Sequence, residues 1–149
     1  MKIDGIDKKI IRSLIKDART PILSIARDVG ISGAAIHQRL RKLEKSDLID
    51  GYQMMINSKS LGYTTTAFIG LHLETSAVLT SVIKRLKEIP EIVECHYTTG
   101  SFTLFVKVLC KDEMSLLLLL DRKIKLIKGV LKLETFCSLN QYIKRQILV

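Results

Sequence analysis

The chain has no tryptophan, only two prolines and three cysteines, and its longest apolar run is the five leucines at 116–120. Each scarcity closes off a class of protein. Five leucines fall far short of the roughly 18 apolar residues that a membrane-spanning helix needs. The opening "MKIDGIDKKI" carries no apolar signal region, so the expectation is a soluble, cytoplasmic protein. Cys95, Cys110 and Cys137 are odd in number and widely spaced, with no CxxC pair. They read as reduced, buried and structural rather than as a disulfide framework, a redox centre or metal ligands. No glycine-rich phosphate loop and no metal-ligand spacing occurs. His72 and His96 can share one face of a sheet, but strand alternation sends Cys95 to the opposite face from His96. No nucleophile with a positioned base emerges, and no catalytic residue, metal or cofactor is assigned.

What the chain does have is positive charge. Its 149 residues include 24 Lys and Arg against 15 Asp and Glu, a formal net charge of +9. That balance favours anionic partners, nucleic acid or acidic lipid. The length suits one or two small domains, and an apolar content of 47% is that of a globular protein.

The first fifty residues predict three helices. Asp4 can cap the first, Asp7 suits its opening turn, and Ile6, Ile10 and Leu14 recur at helical spacing. Thr20 followed by Pro21 reads as a cap and a proline at the first helical position, with Ile22, Ile25, Ala26 and Val29 as the buried stripe of helix two. Gly30 ends it. Ser32 can cap the third helix, which runs to about Lys45 and buries Ile36, Leu40 and Leu43. A short helix, a tight glycine-containing turn and a second helix form the helix-turn-helix layout.

On that third helix Ala34, His37, Gln38, Arg41 and Lys42 point away from the buried stripe. Small residues at its start would let the backbone approach base edges, and Gln38 or Arg41 can make bidentate contacts to adenine or guanine. Arg39, Lys42 and Lys45 suit phosphates, which position a protein on double-stranded DNA without specifying sequence. The expected DNA-binding set is therefore Ser32, Ala34, His37, Gln38, Arg39, Arg41, Lys42 and Lys45. A basic helix face is often merely solvated; the turn and overall charge favour DNA.

Residues 1–51 are taken as this helix-turn-helix domain, winged-helix-like in outline, 52–63 as a short strand and linker, and 64–149 as a second domain. In the second domain spacing predicts strands at 66–74, 92–99, 102–110 and 130–139 and helices at 76–89 and 113–128. The order βαββαβ is ferredoxin-like, so the fold class is α+β. Period two collects Ala67, Ile69, Leu71, Leu73, Cys95, Tyr97, Leu104, Val106, Val108, Leu133 and Cys137, with Val93, Leu131 and Leu139, on a helix-covered face. The other face carries Phe68, Phe105, Leu109 and Phe136 among His72, His96, Lys107 and Ser138. It is too apolar for open water and implies at least a homodimer.

Several stretches in order, "IDGIDKKIIRSLIKDART", "SIARDVGIS", "AIHQRLRKLEKSDLIDGY", "LGY", "VECHYTTGSFTLFVKV" and "GVLKLETFCSL", resemble the Lrp/AsnC family of bacterial and archaeal transcription regulators over nearly the full length. The resemblance implies a sequence-specific regulator that binds DNA through its helix-turn-helix. It further implies dimers formed through the sheet domain, assembly toward an octamer of four dimers, and a free amino acid as effector in clefts between dimers. In the family that site uses the loop between the second and third strands of the sheet domain, here Tyr97, Thr98, Thr99, Gly100 and Ser101, with Thr103 just beyond. Without the family, "TTGS" is a tight hairpin turn.

Thr103 stands where many leucine-responsive and related members carry an acidic residue, so a carboxylate for the ligand's ammonium group is missing there. Hydroxyls in "YTTGSFTLFVKVLC" and the run "SGAAIHQRL" look closer to the asparagine-responsive branch, which makes asparagine the favoured effector. Two rivals follow. One is an effector-independent architectural DNA-binding protein. The other is membrane-surface binding by "DRKIKLIKG", disfavoured because that helix is needed to cover the sheet.

Overall fold

The computed structural model describes residues 2–147 and 149. Two compact units emerge, one of residues up to Met55 together with Ile143–Val149, the other Ile56–Tyr142. The division falls inside the segment expected to be linker. Ile143–Val149 group by contact with the first unit, where Arg12 Nε donates to the Val149 carbonyl.

In the first unit, α1 (Gly5–Lys16), α2 (Ile22–Val29) and α3 (Gly33–Lys45) enclose a small core of Ile10, Ile25, Ala26, Ile36, Leu40 and Leu43. Asp4 caps α1 in a reciprocal box: its carboxylate accepts from the Asp7 amide at 2.8 Å, and the Asp7 carboxylate accepts from the Asp4 amide at 3.1 Å. Helix α2 starts one position later than expected. Pro21 itself occupies the cap position, and the Thr20 hydroxyl donates backwards to the Asp17 carbonyl, so it caps nothing. Residues 52–56, expected as a short strand, form no strand, and Tyr52, Met54, Met55 and Ile56 are exposed. The winged-helix outline therefore lacks its wing strand among the described residues.

The second unit is βαββαβ: β1 (Thr65–Leu73), α4 (Leu79–Lys87), β2 (Ile92–Tyr97), β3 (Leu104–Cys110), α5 (Glu113–Leu119) and β4 (Val130–Ser138). The strands order as β2-β3-β1-β4 with every neighbour antiparallel. A 3₁₀ turn at Ser76–Val78 precedes α4, and a π-helical turn at Leu120–Ile124 follows α5, so each expected helix is a composite. Ala67, Ile69, Leu71, Leu104, Val106 and Val108 pack against Val82, Leu86, Leu116 and Leu119 of the helices. That face matches the period-two assignment at the sheet's centre and departs from it at the edges. Val93 and Leu131 sit at register shifts, Leu139 lies past the end of β4, and all three are exposed. Only Cys110 is buried; Cys95 and Cys137 are exposed thiols on the outer strands, and none of the three is bonded to another.

The opposite face carries an aromatic cluster. Phe68 and Phe105 stack at 5.7 Å between ring centres, Phe102 stacks on Phe105 at 5.8 Å, and Phe102 meets Phe136 edge-on at 6.1 Å. Phe136 is 48% exposed in the single chain.

Candidate functional site

The turn between α2 and α3 is three residues long, and its geometry depends on Gly30. Gly30 takes φ 78° and ψ 31°, a left-handed conformation that costs a side-chain-bearing residue about 1–2 kcal/mol. Its amide and that of Ile31 both donate to the Ala26 carbonyl, at 2.9 and 3.1 Å, closing the end of α2. Ser32 then begins α3, its hydroxyl accepting from the Ala35 amide at 3.2 Å.

With Ile36, Leu40 and Leu43 buried, the outward side of α3 is fixed. Ala34, His37, Gln38, Arg41, Lys42 and Lys45 line one open groove of about 640 Å³. Arg41, Lys42 and Lys45 make no ion pair among the described residues. The carboxylate of Glu44 accepts from the Tyr52 hydroxyl at 3.1 Å; burial first, and Glu44 second, push that phenol above its ordinary value. The groove therefore presents one sign of charge beside two groups, Gln38 and Arg41, that can pair with base edges.

Arg39 is the exception among the expected DNA-facing residues. Its Nη1 donates to Asp4 Oδ2 and Asp7 Oδ1, both at 2.7 Å, which binds α3 to the cap of α1. Its guanidinium is thus engaged within the protein rather than turned to the open groove. The helical wheel holds the signal: at about 100° per residue Arg39 lies about 60° from Ile36, on the flank of the buried stripe. Carboxylates 35 and 32 residues away complete the site, and no local pattern announces them.

The second candidate is the loop of residues 98–103 joining β2 to β3. Tyr97 is 69% exposed at the end of β2. The Thr98 amide donates to the Thr103 carbonyl at 3.1 Å, the Thr98 hydroxyl donates to the Phe102 carbonyl, and the Thr103 amide donates to the Leu71 carbonyl at 2.9 Å. Thr98 and the Thr103 backbone are thereby committed to holding the loop. Thr99, Gly100 and Ser101 are exposed, and their amides make no hydrogen bond among the described residues. They are the part of the expected set open to a ligand carboxylate. Phe102 was absent from both expected sets, because counting by twos from Leu104 assigns it to the helix side. The strand begins only at Leu104, so Phe102 escapes that alternation and crosses to the aromatic face.

Among the described residues no cluster of three His, Cys, Asp or Glu could hold a metal ion, and no helix is long and apolar enough to cross a membrane.

Comparison with known proteins also gives two parts. Residues 3–44 match the AsnC-type helix-turn-helix domain, and residues 66–148 match the Lrp/AsnC ligand binding domain. The regulatory protein AsnC of Haemophilus influenzae is 39% identical over 145 residues, covering 97% of each chain. The structure of Escherichia coli AsnC superposes with a TM-score of 0.96 at 32% identity, covering 100% of each chain. A feast or famine regulatory protein from Mycobacterium tuberculosis, solved in complex with L-methionine, superposes with a TM-score of 0.91 at 26% identity, covering 99% of this chain and 100% of that one. The helix-turn-helix followed by a four-stranded α+β domain is the family's arrangement, and the chain belongs to the Lrp/AsnC family of transcriptional regulators.

Proposed function

We propose that the chain reads double-stranded DNA with the outward face of α3 and reports the level of a free amino acid, asparagine in the first instance, held by the loop at 97–103 between dimers. The observation that carries this reading is the groove along α3, where the small Ala34, the amide of Gln38 and the unpaired cations Arg41, Lys42 and Lys45 share one surface. Arg41 and Gln38 supply base readout; Lys42 and Lys45 supply phosphate contacts whose strength falls as salt rises. Ser32 and Ala34 keep the start of the helix slim enough to enter the major groove.

At the loop, the amides of Thr99, Gly100 and Ser101 donate to the ligand's α-carboxylate, and hydroxyls of Thr99, Ser101 and Thr103 meet a polar side chain. The complex of the mycobacterial relative with L-methionine supports an amino acid as the ligand class. The Phe68, Phe105 and Phe136 face joins two copies, and four such dimers form the octamer around which DNA wraps. The amino acid regulates only through unequal affinity for two assembly states, which shifts their populations and with them the affinity for DNA.

The test is a titration of labelled DNA from the gene's own upstream region against a scrambled duplex, at fixed salt, with and without asparagine. Preferential binding altered by asparagine is expected. The run 97–103 contains no carboxylate to hold an ammonium group, which gives an effector-independent architectural protein its specific support. Equal binding to both duplexes, untouched by asparagine, points to that alternative or to a different effector.

A further inference from the structure

Gly70 lies buried in the middle of β1, and a Cβ there would sit 2.4 Å from Phe102 Cδ1 and 2.5 Å from its Cγ. No side chain can share that space with the ring. A glycine inside a strand marks a close approach by something else, and here the visitor comes from the ligand loop. The Phe102 ring stacks on Phe105, meets Phe136 edge-on and meets His72 edge-on at 5.3 Å. Its own carbonyl accepts from the Thr98 hydroxyl, and the next amide, Thr103, is tied to Leu71, the residue after Gly70.

Loop and face are thus joined at one point. The exposed arc 99–101 is closed by Thr98 and Phe102, and Phe102 is also a member of the aromatic face. The loop cannot change its grip without moving the ring across Gly70, and the ring cannot move without disturbing its stacking on Phe105. Conversely, a second copy packed on Phe136 and Phe105 holds the ring and fixes the loop before any ligand arrives. Coupling of this kind is reciprocal: each event favours the other by the same factor.

We propose that Phe102, seated on Gly70, is the positioning residue that couples occupancy of the 99–101 arc to association through the aromatic face. This rests on the reading of that loop as the amino-acid site and of that face as a subunit interface. Phe102 touches no ligand in this scheme; it transmits.

The test uses the full chain with two readouts, hydrogen exchange of the loop amides and the subunit dissociation constant by sedimentation, each with and without L-asparagine. Gly70→Ala forces the ring off its seat. It is expected to speed loop exchange and weaken association by about two- to tenfold, the range of one aromatic contact. Phe102→Ala does the same, and adding Gly70→Ala to Phe102→Ala changes nothing further, because the methyl group then meets no ring. Phe102→Leu keeps apolar bulk and the unfolding midpoint while still losing the asparagine-dependent change in association. That separates transmission from a merely structural role. Additive effects of the two substitutions, or loop exchange unmoved by Phe102→Ala, overturn the proposal. A wild-type chain whose loop ignores asparagine, alongside a non-additive cycle, upholds the seat and defeats asparagine as the ligand.

Discussion

Arg39 Nη1 stands 2.7 Å from Asp7 Oδ1, the one buried charged residue of the protein's described core, and at the same distance from Asp4 Oδ2. One guanidinium thus closes the capping box of α1 from α3. Its neighbour in sequence but not in direction, Arg41, faces the open groove. Arg39→Ala is expected to lower the thermal unfolding midpoint of the N-terminal unit by leaving the Asp7 carboxylate without its cation. Arg41→Ala is expected to leave that midpoint unchanged. Circular dichroism melts of the two variants against wild type check the contrast, and equal midpoints for both would sink the structural role of Arg39.

Acid should unfold the protein through its paired carboxylates. The Asp7 amide first and Arg39 second hold Asp4 below the usual carboxylate range; Ser115 holds Asp112 down at the start of α5; Lys123, Lys107 and Lys132 do the same for Glu91, Glu94 and Glu134. Each folded-state value lies below the unfolded one. The stability they contribute is therefore complete above the ordinary range of about 4 and is lost as pH falls through the depressed values. Urea midpoints measured from pH 7 down to 3 are expected to stay level to about 5 and then drop. Arg39→Ala should show a shallower drop, by the part of the Asp4 shift that the guanidinium supplies.

Much of this architecture is legible because it is local. Asp4, Gly30 and Ser32 signal helix ends by chemistry that acts within three or four residues, and each performs the role its residue type suggests. The paired central strands follow from alternation, since only one face of a β1 or β3 residue can meet α4 and α5. What escapes is set by distance or by a break in period. Arg39 finds its carboxylates across the fold, and Phe102 stands outside the alternation, two residues before β3 begins. Thr20 and Pro21 show a third kind of failure: the Thr20 hydroxyl is captured by the Asp17 carbonyl, and the proline expected inside the helix takes the cap position without a side-chain bond. In the loop between β2 and β3 the composition of "TTGS" suggests a donor set, but only the hydrogen bonds reveal that Thr98 is spent on the hairpin itself.

The α3 groove yields a separable pair of DNA effects. Arg41→Ala is expected to weaken binding to the preferred duplex by about 1–3 kcal/mol while leaving binding to a scrambled duplex nearly intact, the signature of a base contact. Lys45→Ala, at the far end of the same groove, is expected to weaken both duplexes alike and to reduce the salt slope by about one. Fluorescence anisotropy over a salt series measures both. A uniform loss with a flatter slope for Arg41→Ala would move it from base readout to phosphate contact.

Gly100 gives the sharpest test of the loop as a ligand site, because the single chain has no structural need for it. A Cβ placed there meets nothing within 4 Å, and its φ is not in the left-handed region. Gly100→Val should therefore fold, melt within about 0.5 kcal/mol of wild type as an exposed substitution does, and keep its affinity for DNA. Its branched side chain would nevertheless stand where a carboxylate must approach the amides of Thr99 to Ser101. The expected result is a variant whose DNA titration no longer changes with asparagine and whose melting point no longer rises with it. Wild type held at 100 times its dissociation constant should gain about 2.7 kcal/mol. Retention of the asparagine response by Gly100→Val would place the pocket elsewhere in the domain. Loss of response together with loss of the oligomer would instead assign Gly100 to the contact between dimers, since the protomer alone leaves its surroundings empty.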